Sequence, residues 1–247
     1  QGSLSKAARG YHLAQGNNER PVTRLAVLPV AAKASVEQGL EAALESALVH
    51  WLYHDEIWLR GNAKAKAEIL LAIARVRHAL VLFGGIVPRK ATTHLRALLN
   101  DADAVLLAAD TADEALFRTE VVGAKLALTE WLVQRGWRPF LNEAGEKKIA
   151  GSFKRFADIH LSRVAAELRS AVQHLAVEDA ADQLPKLSRN IDSVQLLAGA
   201  YGDAVAPWLE NWQELQRAIE HDDRSVFEYF RRQALAAEPF WLHSGKR

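Results

Sequence analysis

The sequence contains no cysteine, which excludes a disulfide framework and any thiolate metal site. That fits a reducing compartment, and a cytoplasmic location is expected. Methionine is absent too, and Gln1-Gly2-Ser3 is not a translation start, so the chain is expected to be a piece of a longer polypeptide. No secretory signal opens it. Its longest apolar runs reach about half a membrane span, and no membrane partner is expected. The 31 Lys and Arg offset 30 Asp and Glu to a net charge of +1. That is not the balance of a dedicated nucleic-acid binder, so nucleic acid is not expected as a partner.

Catalytic signatures are equally scarce. There is no GxSxG turn for a serine hydrolase and no GxxxxGK[ST] phosphate loop. His50 and His54 stand at i, i+4 in HWLYHDE, a spacing that can share a metal, but a zinc-protease helix needs HExxH. They read as the polar edge of the first helix. No catalytic residue, metal ligand or cofactor is assigned to this chain.

What is present is an ordinary globular composition, 49% apolar and 25% charged, in a chain long enough for one large domain or two smaller ones. Beyond Val30 the apolar residues recur at helical spacing almost throughout, so the fold class is all-α. Ser35 and Gln38 form a capping box for a first helix carrying Leu40, Leu44, Leu48 and Trp51. Asn62 is read as the cap of a second, running to Phe83 and stopping at Gly84-Gly85. This helix is apolar on nearly every side and is expected to be buried, yet Arg75, Arg77 and His78 interrupt it. Pro88 is read as the first residue of a third helix. Thr111 and Glu114 are read as the box of a fourth, ending near Gly136, and 137–150 as a loop.

The next stretch, Gly151 to Val172, is the one around which the chain is organised. Ala157, Leu161, Val164, Leu168 and Ala171 make its apolar stripe, and His160, Arg163 and Glu167 lie on the flank. Helices are expected over 179–199 with Pro185 near the start, from Pro207 with Trp208, Leu209, Trp212, Leu215 and Ile219 as its stripe, and over 224–236. Pro88-Arg89-Lys90 and Pro185-Lys186 each open a helix, a faint echo between two halves.

Charge is segregated: from Arg60 to Leu99 there are eight Lys or Arg and one acid, Glu68. The candidate polyanion-binding set is Arg75, Arg77, Arg89, Lys90, Arg96, Lys154, Arg155, His160, Arg163 and Arg169. The competing reading is a solvated face, with Arg163 paired to Glu167. Arg75 and Arg77 carry the most information, because a guanidinium in an apolar helix needs an anion, a carboxylate or a ligand beside it.

Three stretches, RVRHALVLFGGIVPRKATTHLRALL (75–99), SFKRFADIHLSR (152–163) and LPKLSRNIDSVQLLAG (184–199), resemble the CHAD domain, the "conserved histidine α-helical domain". The likeness to the CHAD half of bacterial CYTH–CHAD inorganic triphosphatases is close. GSLSKAARGYHL (2–13), with Lys6, resembles the last segment of a CYTH domain. The resemblance implies two four-helix bundles related by pseudo-twofold symmetry, about 31–136 and about 151–236, with a tail to 247, after a CYTH end and linker over 1–30. It implies a basic surface between the bundles that binds inorganic polyphosphate. His160 and Arg163 match the family's HxxR pattern, Arg169 its downstream cation, and Arg75 and Arg77 the first repeat's cationic helix. The chain departs from the pattern at Ala67 and Leu70, where the first repeat would carry its own HxxR, and at Glu167, near a position usually basic. The implied partners are polyphosphate or a similar polyanion and the protein's own CYTH domain. The divalent metal of a triphosphatase belongs to that domain, whose ExExK element this chain lacks, so no hydrolysis is expected from this piece. The alternative is a scaffold that packs on the catalytic domain or a partner protein without a ligand.

Overall fold

A computed structural model describes residues 20–135, 144–145 and 151–242. The segment resembling a CYTH end, most of the 137–150 loop and the last five residues lie outside the described residues. Helix α1 (Val36–Leu59) starts where expected, because the Ser35–Gln38 capping box closes in both directions, at 3.1 and 2.9 Å. Gly61, with φ +103°, turns the chain out of it. Helix α2 (Ala65–Leu82) is capped by Lys64 and not by Asn62, whose side chain instead accepts the Lys64 N–H in the preceding turn. Pro88 is the cap of α3 (Arg89–Ala108) and not its first residue.

The single helix expected from Thr111 to Gly136 is two. Thr111 caps only α4 (Ala112–Ala115), and α5 (Thr119–Arg135) starts after a break that buries Leu116. Helix α6 (Phe153–Val172) is capped by Ser152. The segment expected as a helix over 179–199 begins as a 3-10 turn, Val177–Gln183, and continues as α7 (Leu184–Leu197) with Pro185 in its first turn. Helices α8 (Val205–Glu220) and α9 (Arg224–Ala236) follow, and all five expected stripe residues of α8 are buried. Among the described residues there is no strand, only a bridge between Ser35 and Ser152.

Helices α1, α2, α3 and α5 pack as one group, and α6, α7, α8 and α9 as another. The groups meet through equivalent members, α1 on α6 and α2 on α7. At the meeting point the caps of α1 and α6 touch, and Phe153 N–H donates to the Ala34 carbonyl at 2.7 Å. The Phe153 ring lies on Gly39, where a Cβ would stand 2.5 Å from a ring carbon. Gly39→Ala should therefore cost about 1–3 kcal/mol by overpacking this joint, read as a lowered midpoint in a thermal melt.

One expectation fails here. Helix α2 is not buried all round, since Leu71 is 41% and Val81 77% exposed. Residues 20–30 run over the helices as a strap. Leu28 and Val30 are buried, and Leu28 N–H donates to the Gln195 carbonyl at 2.9 Å. This strap passes so close over Gly199 that a Cβ there would meet the Leu28 oxygen at 1.9 Å. Only glycine leaves room for it.

Candidate functional site

The ten candidate cations divide by what surrounds them. Arg75 is withdrawn into the joint between the two helix groups, with its side chain 2% exposed. Its Nε and Nη2 both lie 3.0 Å from Asp192 Oδ1 on α7. Nη2 also donates to Gln195 Oε1 and to the Ala26 carbonyl of the strap, each at 3.2 Å. The required carboxylate is thus internal, and Arg75 drops out of the surface set because it is paired within the fold and sealed from solvent. Arg77, half-buried, donates to Asn100 at 2.9 Å and pairs with Asp103 at 3.3 Å, both on α3. Lys154 lies 3.4 Å from Asp158 and 5.0 Å from the centre of the Tyr201 ring. Arg96 donates to the Arg89 carbonyl at 2.8 Å, and Arg169 to the Leu235 carbonyl at 2.5 Å. These contacts tie down half of the set.

Arg89, Lys90, Arg155 and Arg163 are different. All four are exposed and have no carboxylate partner among the described residues. Arg163 and Glu167, one turn from each other, form no ion pair, so the pair that belongs to the solvated-face reading is absent. Arg89 and Lys90 occupy the first turn of α3, and Arg155 the first turn of α6. Neither turn contains an acid. Cations there oppose the positive end of the helix dipole and its free N–H groups, an arrangement that suits a bound anion.

Aromatic stacking sets the end of α2 beside the start of α6. Phe83 closes α2, Phe156 sits near the start of α6, and their rings stack at 5.0 Å and 22°. His160 continues the ladder, its ring 4.1 Å from Phe156. The α2–α3 corner is therefore set beside the first turn of α6. His160 is half-buried, and burial first, then the Arg163 charge, hold its imidazole below the ordinary value. It is neutral at neutral pH.

Sequence reasoning missed the internal partners. Asp192 accepts from Arg75 and lies 3.0 Å from His78 Nδ1, so one carboxylate serves two α2 side chains. The available signal was a lone acid between Ile191 and Val194 on the apolar side of α7, the counterpart of Arg75 in α2. Tyr201 was also missed. Its hydroxyl donates to Asp158, and burial followed by that carboxylate push its pKa up.

A family model described as the CHAD domain matches residues 42–232. The fold is similar to a solved structure, the crystal structure of the CHAD domain from the plant Ricinus communis, with a TM-score of 0.61 and 16% identity. The match covers 90% of this chain and 89% of that one. At this identity the likeness is one of fold.

Proposed function

Because the chain belongs to the CHAD domain family, we propose that it is an accessory helical domain that binds inorganic polyphosphate or a similar phosphate-rich polyanion. The observation that supports this most is the placing of Arg89, Lys90 and Arg155, without carboxylate partners among the described residues, in the acid-free first turns of α3 and α6. Arg163 and His160 lie further along α6. Charge-assisted hydrogen bonds from guanidinium and ammonium groups, with backbone N–H groups behind them, hold phosphate oxygens. The likeness of residues 2–13 to a CYTH end supports a place beside a metal-dependent triphosphatase domain in the intact protein.

Calorimetric titration with long-chain polyphosphate tests the proposal. Neutralising four phosphates gives a slope of log K against log salt of about −3, which is roughly a 50-fold loss of affinity between about 50 and 200 mM salt. No heat at low salt rejects the proposal. The pH profile adds a second expectation. His160 carries charge only below its lowered pKa, so affinity should rise as pH falls below the ordinary histidine range. In His160→Asn that rise should shrink. An unchanged profile in the variant assigns the proton to another group.

The scaffold reading also has an observation in its favour: Arg75 and Arg77 are neutralised by Asp192 and Asp103. It predicts that polyphosphate is not retained at any salt concentration.

A further inference from the structure

Three buried side chains far from the cationic surface form a constellation that polyanion binding leaves unused. His50 and His54 stand one turn apart on α1, and Glu68 faces them from α2. They are 8%, 0% and 9% exposed. One ligand atom from each lies within 4.8 Å of the other two, the single such group of His and acids among the described residues. The sequence spacing alone suggested the outer edge of a helix; the tertiary fold encloses the pair and supplies a carboxylate.

The hydrogen bonds fix the state of the inner imidazole. His54 Nδ1 is 2.7 Å from the His50 carbonyl, which can only accept, so the proton sits on Nδ1. Its Nε2 accepts the Thr23 N–H at 3.1 Å, and a backbone N–H can only donate. His54 is thus the tautomer with its lone pair on Nε2 and a carbonyl holding Nδ1–H, the orientation that metal-binding histidines use. His50 Nε2 lies 3.1 Å from Glu68 Oε1.

We propose that His50, His54 and Glu68 bind a divalent transition-metal ion of the Zn²⁺ class, with a water as fourth ligand. Two imidazoles and one carboxylate suit such an ion, whereas Mg²⁺ and Ca²⁺ need shells of oxygen. Ligand atoms around a tetrahedral ion with bonds of about 2.0–2.1 Å stand about 3.4 Å apart, so the side chains close inward by roughly 1 Å. The ion displaces the Thr23 N–H from His54 Nε2. Thr23 is exposed, so that N–H turns to water and its side is the way in. His50 carries its proton on Nδ1 once Nε2 is coordinated. The ion pins the α1–α2 hairpin and stabilises the fold by mass action.

The whole chain, stripped with a chelator, is titrated with Zn²⁺ against a chromophoric competitor and separately with Co²⁺ by visible absorption. One ion per chain, intense four-coordinate Co²⁺ bands and a raised melting midpoint are expected. Glu68→Gln keeps an oxygen acceptor for His50 but loses the anionic ligand, and should weaken Zn²⁺ about tenfold or more while leaving polyphosphate binding unchanged. Equal Zn²⁺ affinity in Glu68→Gln means that exposed histidines such as His94, His174 or His221 take the ion, and overturns the proposal. So does a Co²⁺ spectrum of the unaltered chain with only the weak bands of a six-coordinate ion, whether or not the variant folds. A loss of polyphosphate binding alone leaves this site standing and rejects only the surface reading.

Discussion

Asp192→Ala is expected to lower stability by about 3–5 kcal/mol, the cost of stripping a buried charge of its partner. At the usual conversion for a chain of this size this is a fall of roughly 10 °C in the melting midpoint. The carboxylate is 13% exposed and the guanidinium opposite it 2%, so water cannot replace what is lost. Gln195 and the Ala26 carbonyl remain as acceptors, which places the loss toward the lower end. The same substitution frees His78, whose Nδ1 lies 3.0 Å from the Asp192 carboxylate. The companion variant Arg75→Met with Asp192→Leu removes both charges and should regain much of the loss. Scanning calorimetry of the three proteins decides it. A shift under about 2 °C in Asp192→Ala would mean that Arg75 is not the clasp between the helix groups.

Replacing Arg89, Lys90, Arg155 and Arg163 together by Gln should weaken polyphosphate binding roughly a thousandfold. Counterion release is worth about 1 kcal/mol per neutralised phosphate at about 0.1 M salt, or about 4 kcal/mol for four. Stability should barely change, because exposed cations without acid partners contribute little to it. The salt slope should flatten toward zero. A matched control is Arg96→Gln with Arg169→Gln: both side chains already donate to carbonyls within the chain, so affinity should change only a few-fold. Equal losses in the two variants would show a diffuse positive field in place of a site.

The helices were largely legible in the chain itself. Ser35 and Ser152 start α1 and α6 because short polar side chains satisfy free N–H groups locally, and α9 spans the expected residues because its bounds are set by its own ends. The α4–α5 break was not legible, because Leu116 turns inward to fill a core built by distant helices, which outweighs helix continuity. The surface was legible only as a collection of cations. Sequence alone placed Arg75 and Arg89 in the same set. The fold separates them, because the carboxylate that neutralises Arg75 is 117 positions away while Arg89 meets none among the described residues.

The sequence determined, by itself, an all-helical chain with cations concentrated on particular turns, since caps and apolar periodicity act over a few residues. Tertiary structure decided which cations stay free, and it enclosed His50 and His54 beside Glu68. Pairing and burial depend on which helices become neighbours, and that depends on the packing of the whole core.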